Sequence, residues 1–342
     1  MSIKRLAMLT GGGDCPGLNP VIRAVTRRAL QEGYEVLGIR NGWKGMIEKN
    51  FISLDRLAIA GILHRGGTIL GTSRTNPRKM PGAVQKIFDN FKDLKLDVLI
   101  AIGGDDTLGV AYDLHTKGLA TIGVPKTIDN DLPGTDYTFG FDTAVNIAME
   151  AIDRLHTTAE SHNRVLVVEL MGRNAGWITL HAGIAGGADY ILLPEFPKSM
   201  KEVGEVLKKR HAGGRSFSIV AVSEGFKIEG EEITQNHEKD AFGHVRLGGV
   251  GERVAKQIEK HTGFETRSVV LGHLQRGGVP TAYDRVLGTR YGLKAVELAM
   301  KGQFGKMVAL RGTEIVAIDL QAVTKTKVVS KELYEEAQVF FG

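Results

Sequence analysis

The sequence contains a single cysteine, Cys15, so the chain cannot form an internal disulfide. It also has no run of about 18 apolar residues, which is the length that a helix needs to cross a membrane. The amino-terminal residues lead directly into a strand-like segment, without the apolar core and cleavage site of a secretory signal. These absences predict a cytoplasmic protein with no membrane partner.

Runs of basic residues, and basic residues interleaved with aromatic ones, are missing as well. The chain has 44 Lys and Arg residues against 39 Asp and Glu residues, which gives a formal net charge of +5. A nucleic-acid-binding surface would need its positive charges to be clustered. The composition therefore predicts no nucleic-acid partner, and small anionic ligands account for the excess charge equally well.

The length and the glycine content point to two glycine-rich α/β units. A chain of 342 residues exceeds the size of about 250 to 300 residues at which single cores stop growing, so two subdomains are expected. The chain has 44 glycines, where average usage of about 7% would give roughly 24. These glycines fall in pairs after apolar runs, which indicates tight turns at strand ends.

Apolar strand-like segments alternate with helix-like segments, and this alternation predicts a doubly wound α/β fold. The predicted strands are residues 5–10, 34–40, 94–102, 121–124, 164–170, 190–193, 217–222 and 266–271, followed by a hairpin at 307–310 and 314–318. A long amphipathic helix starting at Phe141 opens the second unit, and the polar segment 227–247 is predicted to be an exposed loop or hairpin. Ligands of such folds bind at the carboxyl ends of the strands.

The first strand is followed by the turn Gly11-Gly12-Gly13-Asp14, and a helix comes next. A turn of this kind allows bare N–H groups to approach phosphate oxygens. It matches neither the P-loop, since no Lys-Ser/Thr pair follows, nor the dinucleotide fingerprint, since Pro16 stands at the last glycine position. Cys15 has no histidine beside it in the sequence and is predicted to be a packing residue.

The stretch from Pro125 to Asp131, with sequence Pro-Lys-Thr-Ile-Asp-Asn-Asp, is the densest group of chemical side chains in the chain. It contains two carboxylates, an ammonium, a hydroxyl and an amide, and it directly follows a predicted strand. The turn at residues 103–107, Gly-Gly-Asp-Asp-Thr, follows the preceding strand. Both turns should therefore meet at one edge of the sheet and form a site for phosphate chemistry.

Six motifs, taken together and in this order, resemble the phosphofructokinase family. They are Gly12-Gly13-Asp14, the loop 66–74, the turn 103–107, Thr127-Ile-Asp-Asn-Asp131, Met171-Gly-Arg173 and Gly272-His-Leu-Gln-Arg276-Gly-Gly. The resemblance covers nearly the whole chain, with 227–247 as the main addition. It implies two doubly wound, three-layer subdomains with the active site in the cleft between them. A donor subdomain would comprise 1–140 plus about 275–325, and a sugar-phosphate subdomain 141–274 plus about 326–342.

The family transfers a phosphoryl group to the 1-hydroxyl of fructose 6-phosphate, in glycolysis and gluconeogenesis. The resemblance implies Asp129 as the general base, and Arg74, Arg173 and Thr127 as further catalytic residues. It implies that Gly13 binds the transferred phosphate, and that Mg²⁺ is held by Asp105, with Asp131 as a further candidate. Carboxylate oxygens suit Mg²⁺, and planar guanidinium groups suit the charge on a transferring phosphoryl group.

The resemblance also implies a sugar-phosphate site that two subunits share. The implied contacts within one subunit are Thr127, Asp129, Met171, Gly172, Arg173, Glu224, His273 and Arg276. Arg164 and Arg267 would contribute from a neighbouring subunit. A homo-oligomer, either a dimer or a tetramer, is therefore expected.

Two residues bear on the identity of the phosphoryl donor. Family members that use ATP have glycine at the position of Asp106 and often at the position of Lys126, whereas this chain has neither glycine. Both replacements resemble the pyrophosphate-dependent branch, in which the aspartate repels the α-phosphate of ATP and the lysine faces pyrophosphate. The resemblance therefore implies a reversible, pyrophosphate-dependent enzyme, with an ATP-dependent phosphofructokinase as the alternative.

Two other classes of protein, and the effector site of the family, bear on the function. Lipid and NAD kinases share a Gly-Gly-Asp turn but do not account for the motifs at 171–173 and 273–276. A non-catalytic sugar-phosphate-binding paralogue would not need a base, a metal ligand and a charge clamp together. The effector site of regulated members, which binds a nucleotide or phosphoenolpyruvate, is kept at Arg23, Arg27 and Arg56 but altered at His156 and Asp189, so the resemblance implies weak or absent control by these effectors.

Overall fold

A computed structural model gives the structure of residues 4–230, 242–243 and 247–342. The eleven strands are β1 Arg5–Thr10, β2 Glu35–Ile39, β3 Phe51–Ser53, β4 Val98–Gly103, β5 Thr121–Pro125, β6 Val165–Leu170, β7 Tyr190–Leu192, β8 Ser218–Ser223, β9 Thr266–Val270, β10 Lys306–Arg311 and β11 Glu314–Asp319. Most of the predicted loop or hairpin at 227–247 lies outside the described residues.

Ten α-helices lie between and after these strands in the described part of the chain. They are α1 Leu18–Gln31, α2 Trp43–Glu48, α3 Ala83–Asp93, α4 Asp105–Thr116, α5 Phe141–His162, α6 Trp177–Ala185, α7 Met200–Ala212, α8 Val250–Thr262, α9 Ala282–Met300 and α10 Lys331–Gln338. Short 3₁₀ helices occur at Pro77–Lys79, Gly272–Arg276 and Leu320–Thr324. No helix among the described residues is long and apolar enough to span a membrane.

The strands form two sheets. The first has seven strands in the order β11-β10-β5-β4-β1-β2-β3, and the second has four in the order β7-β8-β6-β9. All neighbours are parallel except β2 with β3 and β10 with β11. The register pairs Leu9 of β1 with Ala101 of β4, so the turns after these strands lie side by side.

The inner strands, β1, β4 and β5 of the first sheet and β6 and β8 of the second, are buried on both faces because their side chains alternate between two apolar cores. In β1, Leu6 and Met8 join a central core with α1 and α9, whereas Ala7 and Leu9 join an outer core with α2, α3 and α4. The second sheet also packs one face into the central core, and its other face packs against α7 and α8. Parallel strands covered on both faces are expected to read as continuous apolar runs, as these do.

The α/β fold with two sheets confirms the predicted fold class, and the predicted hairpin near the carboxyl terminus is β10–β11. The sequence patterns did not predict five of the helices, namely α2, α3, α6, α7 and α10. The assignment of 1–140 plus about 275–325, and of 141–274 plus about 326–342, to two subdomains stays a prediction.

Candidate active site

The loop that follows β5 carries Asp129 at its centre and is fixed by local hydrogen bonds. The Thr127 hydroxyl accepts a hydrogen bond from the backbone N–H of Asp129 at 3.0 Å. Thr138 donates through its hydroxyl to the Thr127 carbonyl at 2.8 Å and through its N–H to the Asn130 side chain at 3.1 Å. Asn130 has a φ of 51°, a left-handed conformation that asparagine tolerates better than most residues. The loop is therefore held in one conformation.

Asp129 is buried, with only 5% of its surface exposed. Its Oδ1 atom has no hydrogen-bond partner among the residues that the structure describes. A buried carboxylate oxygen without a partner is costly, and in native proteins it calls for an explanation. A substrate hydroxyl that donates to this oxygen would supply the missing partner.

The carboxylate of Asp131 interacts electrostatically with those of Asp129 and Asp105. The pKa of Asp131 is raised to about 7, mainly by burial and then by the carboxylates of Asp129 and Asp105, while the guanidinium of Arg173 acts in the opposite direction. Asp105 is exposed at the first position of α4, where an acidic side chain complements the helix dipole. The site thus concentrates negative charge, and Arg173 faces it from the second sheet.

These carboxylates fit a magnesium ion. The described residues contain no group of three or more His, Cys, Asp or Glu side chains arranged to hold a metal. Mg²⁺, however, is usually held by one or two carboxylates together with water and substrate phosphates. Asp105 and Asp131 supply that number, and a cation there would offset the charge repulsion that, after burial, contributes to the raised pKa of Asp131.

The turn after β1, residues 11–14, which we call the donor turn after the role that the resemblance implies, depends on glycine because it packs directly on Thr107 of α4. A Cβ atom at Gly11 would lie 2.5 Å from the Thr107 hydroxyl, and a Cβ at Gly103 would also overlap the Thr107 side chain. Gly12 has a φ of 77°, which favours glycine. The turns at residues 11–14 and 103–107 therefore both pack against the Thr107 side chain, which leaves no room for a side chain at Gly11 or Gly103.

Lys126 lies beneath the donor turn and is buried. Its Nζ atom donates a hydrogen bond to the Gly13 carbonyl. Burial lowers the pKa of Lys126, and the Arg276 guanidinium lowers it further, against the opposing effects of Cys15 and Asp129. Cys15 is buried beside it, and burial raises the pKa of its thiol to about 12, which agrees with a packing residue and not with a nucleophile.

The loop that follows β6 contains Met171, Gly172 and Arg173, and we call it the sugar-phosphate loop after the role that the resemblance implies. The Glu224 carboxylate accepts hydrogen bonds from the N–H groups of Gly172 and Arg173 at 3.4 and 3.1 Å. Gln275, which is fully buried, accepts from the N–H of Met171 at 3.3 Å. Burial raises the pKa of Glu224, and the Asp129 carboxylate raises it further, so this loop faces the loop after β5.

Arg276 joins the sugar-phosphate side to the donor turn. Its Nη1 atom donates to the Asp14 carbonyl at 3.2 Å. A Cβ atom at Gly13 would lie only 2.5 Å from the same nitrogen, so a side chain at this position would have to displace the Arg276 guanidinium. His273, three residues earlier, is exposed.

Arg74 is exposed at the edge of the site, and Asp106 is half-buried in the first turn of α4. A cavity of about 480 Å³ lies beside Arg74. It is lined by Lys44, Ile47, Glu48, Arg74, Thr75, Asn76, Lys79 and Met80. The cavity volume falls within the range of about 300 to 1,000 Å³ that is typical of small-molecule sites.

Arg164 and Arg267 lie away from this site. Both guanidinium groups bind Glu265, with Nη2 to Oε1 distances of 2.7 and 2.6 Å. They stand at the amino ends of β6 and β9, and six strand residues of β6 place Arg164 about 20 Å from the sugar-phosphate loop. Their contribution to the site of a neighbouring subunit stays a prediction.

Sequence reasoning missed several residues that shape the site. Thr107, Asn130 and Gln275 lie within the motifs, so the sequence indicated that they belong to the site but not which contacts they make. Lys327 had no signal, because the sequence around it, Thr-Lys-Thr-Lys-Val-Val, carries no motif. Its ammonium nevertheless donates to the Asn130 side chain at 3.0 Å.

Comparison with known proteins confirms the family. The phosphofructokinase family profile matches residues 5–299, and the chain belongs to this family. It is 58% identical to the pyrophosphate–fructose 6-phosphate 1-phosphotransferase of Amycolatopsis methanolica, over 99% of this chain and all of that protein. It is 50% identical to ATP-dependent 6-phosphofructokinase 3 of Streptomyces coelicolor, over 98% of this chain and 99% of that protein.

The fold is likewise that of a solved family member. The phosphofructokinase of Saccharomyces cerevisiae matches 98% of this chain with a TM-score of 0.81 and 29% identity. The match covers 46% of the yeast chain, so the present chain is about half as long.

Proposed function

We propose that this protein is a pyrophosphate-dependent phosphofructokinase. It would reversibly transfer a phosphoryl group from pyrophosphate to the 1-hydroxyl of fructose 6-phosphate, giving fructose 1,6-bisphosphate and phosphate. The observation that carries the reaction class is the buried Asp129 Oδ1 atom, which has no described partner and lies where donor turn and sugar-phosphate loop converge. The name of the Amycolatopsis methanolica relative, at 58% identity, supports the same reaction, whereas the Streptomyces coelicolor relative, at 50% identity, is named for ATP as the donor.

In the proposed mechanism, Asp129 accepts the proton of the 1-hydroxyl while the sugar oxygen attacks phosphorus. The new O–P bond forms as the bridging P–O bond of pyrophosphate breaks, and phosphate leaves. The hydrogen bond between the Asp129 N–H and Thr127 holds the base in place. Positioning and charge stabilisation supply most of the acceleration in such reactions. The Gly13 N–H, Arg74 and Arg173 would bind the transferring group.

Magnesium is the cofactor that we propose, held by Asp105 and Asp131 with water and pyrophosphate oxygens. When bound, it neutralises charge that develops on the phosphates. Asp105 and Asp131 would hold the ion, and the Arg173 guanidinium interacts with Asp131 from the loop after β6.

Asp106 and Lys126 support pyrophosphate as the donor. Asp106 lies in the first turn of α4, beside the proposed metal ligand Asp105. A carboxylate there would repel the α-phosphate of a nucleotide, because like charges that face each other without a cation cost several kcal/mol. Lys126 holds the carbonyl of Gly13 and places a positive charge beneath the donor turn. This chain resembles both pyrophosphate-dependent and ATP-dependent relatives, so the assignment of the donor rests on Asp106 and Lys126.

ATP remains the second candidate donor, because the cavity of about 480 Å³ beside Arg74 has the volume for a small organic ligand. A paired assay on fructose 6-phosphate at matched magnesium separates the two donors. We expect kcat/KM with pyrophosphate to exceed kcat/KM with ATP by at least about 100-fold, equivalent to roughly 2.7 kcal/mol. Asp106→Gly should raise ATP activity by about tenfold or more.

The variant Asp106→Asn is the matched control for that experiment, since it removes the charge and keeps the size. If ATP activity rises in both variants, the charge of Asp106 discriminates against ATP. If it rises in Asp106→Gly alone, the size of the side chain does. Equal turnover of the unmodified protein with both donors contradicts pyrophosphate as the donor. An unchanged preference in Asp106→Gly contradicts the role of Asp106.

We also propose a homo-oligomer whose active sites are shared. Four exposed apolar residues, Val270, Leu274, Val279 and Val286, lie on or next to β9 and α9. β9 is the outermost strand of the second sheet and carries Arg267. Exposed apolar side chains beside an edge strand suit a contact with a second copy, which would bring Arg164 and Arg267 to a neighbouring site.

The variant Val286→Glu tests the shared site. Val286 is 59% exposed on α9, and a charge there should split the oligomer and raise KM for fructose 6-phosphate by about tenfold or more. Val339→Glu is the matched control, because Val339 is 78% exposed after α10. Mass photometry gives the assembly state, and steady-state kinetics give KM. An oligomer that stays intact, or a monomer with an unchanged KM, contradicts the shared site.

Two predicted effector positions make contacts within this chain. Asp189 binds Arg210 at 2.8 Å and accepts from the Ile219 N–H at 2.8 Å, while His156 lies 2.7 Å from the Gly186 carbonyl. These contacts support the proposal that nucleotides exert weak or no control here. A cytoplasmic location stays a prediction.

A further inference from the structure

The segment between the 3₁₀ helix Leu320–Thr324 and α10 crosses next to the loop that follows β5 and carries Asp129, which we call the catalytic loop. We call residues 327–329 the crossing segment. The Lys327 N–H donates to the Asp131 carbonyl at 2.7 Å. The Lys327 ammonium donates to Asn130 Oδ1 at 3.0 Å, to the Thr135 carbonyl at 3.0 Å and to the Asp136 carbonyl at 2.9 Å. One residue thus makes four hydrogen bonds to residues 130–136.

The same segment is tied to the sugar-phosphate side of the site. The indole N–H of Trp177 donates to the Lys327 carbonyl at 2.9 Å, and the Lys327 Nζ atom lies 5.2 Å from the centre of the Trp177 ring. The Glu195 carboxylate accepts from the N–H groups of Val329 and Gly176 at 3.0 and 2.9 Å. Gly176 and Trp177 begin α6, directly after the loop that contains Met171 to Arg173.

The hydrogen bonds of the Lys327 ammonium are complete and directional. An ammonium has three donors, and the three acceptors on Asn130, Thr135 and Asp136 use all of them. Asn130 adjoins Asp129 and adopts a left-handed φ of 51°, so its side-chain contacts help to fix the direction in which the Asp129 carboxylate points. An apolar side chain of the same length would fill the space but leave these acceptors without the ammonium.

We propose that Lys327 is a positioning residue for phosphoryl transfer, which fixes the catalytic loop through Asn130 and connects it, through Trp177, to the start of α6. The inference rests on the proposed function, since it assumes that Asp129 is the base. A lysine that only stabilised the fold would change the melting temperature when replaced, but would leave the folded enzyme with its normal kcat. A positioning residue lowers kcat in folded protein.

The test compares Lys327→Met with Lys325→Met, which removes an exposed lysine two residues earlier. We expect Lys327→Met to lower kcat by about 100-fold, the effect that a misplacement of about 1 Å can produce, while KM for fructose 6-phosphate stays within about threefold. Lys325→Met should keep kcat within about twofold of the unmodified protein. Lys327→Arg, which keeps the charge and N–H donors, should recover part of the lost kcat.

A double-mutant cycle with Asn130→Gly isolates the contact, because glycine tolerates the left-handed φ. If Lys327 acts through Asn130, the double variant should lose no more kcat than the worse single variant. If the double variant instead loses kcat by the product of the two single losses, the proposal is overturned. A normal kcat in folded Lys327→Met overturns it as well. If Lys327→Met does not fold, Lys327→Gln provides the same comparison with the same expected loss and the same contradicting result.

The assays distinguish this inference from the proposed function. A failure of the unmodified protein to phosphorylate fructose 6-phosphate with either donor overturns the proposed function. A normal reaction by the unmodified protein together with a normal kcat in Lys327→Met overturns only the role of Lys327. If ATP is the better donor, the same comparison of kcat is made with ATP.

Discussion

Replacement of Asp129 by asparagine is expected to lower kcat by about 10³-fold, within the range of about 10² to 10⁴ that a general base contributes. The amide keeps the size of the carboxylate but cannot accept the proton of the sugar hydroxyl. Affinity for fructose 6-phosphate should stay within about threefold, since Met171, Arg173, Glu224 and Arg276 remain. Steady-state kinetics with pyrophosphate and calorimetric titration with fructose 6-phosphate measure the two effects.

Asp93→Asn is a matched control, because Asp93 is exposed at the end of α3 and pairs with Lys49 at 3.1 Å. It should leave kcat within about twofold, as surface substitutions usually do. Unchanged turnover in Asp129→Asn would remove Asp129 as the base. Sugar-phosphate binding by an unmodified protein that lacks all turnover would instead support a non-catalytic paralogue.

The parts of the fold that the sequence predicted are those with a strong local pattern. β1 and β4 are largely apolar runs followed by consecutive glycines. The sequence alone therefore indicated both the strands and the points at which they end. α6 and α7 were missed for different reasons. α6 is apolar on nearly all sides, which hides the helical period, and α7 is rich in charged residues that are also typical of a loop.

The residues of the candidate site divide in the same way, into those that lie in short motifs and those that only the tertiary structure brings to the site. Asp129, Asp131 and Arg173 come from short motifs, and the structure places their charges near one another. Lys327 reaches the same place from almost 200 residues away in sequence, through bonds to a side chain and two carbonyls. Backbone carbonyls are present at every residue, so no sequence pattern can identify those that a distant lysine will contact. Long-range contacts of this kind need the tertiary structure.

Gly225 provides the second large expected effect, because it is the residue on which the sugar-phosphate loop rests. A Cβ atom at this position would overlap the backbone carbonyl of Arg173. Arg173 already has a left-handed φ of 52°, and its N–H is held by Glu224, so neither chain can move without breaking a contact. We expect Gly225→Ala to lower the free energy of unfolding by about 2 to 3 kcal/mol, as overpacking of a core does.

The same substitution should lower kcat/KM for fructose 6-phosphate by about 100-fold, because Arg173 and Glu224 would both be displaced. Gly204→Ala is the control: it lies within α7, where an added methyl would meet no backbone atom but only the His261 and Thr262 side chains at 3.2 and 3.4 Å, which need to shift by a few tenths of an ångström. Denaturant unfolding and steady-state kinetics measure the two effects. A stable, fully active Gly225→Ala protein would mean that the loop can shift without loss, and that the positions of Arg173 and Glu224 do not limit turnover. A protein of lower stability with normal kcat/KM would confine the role of Gly225 to folding.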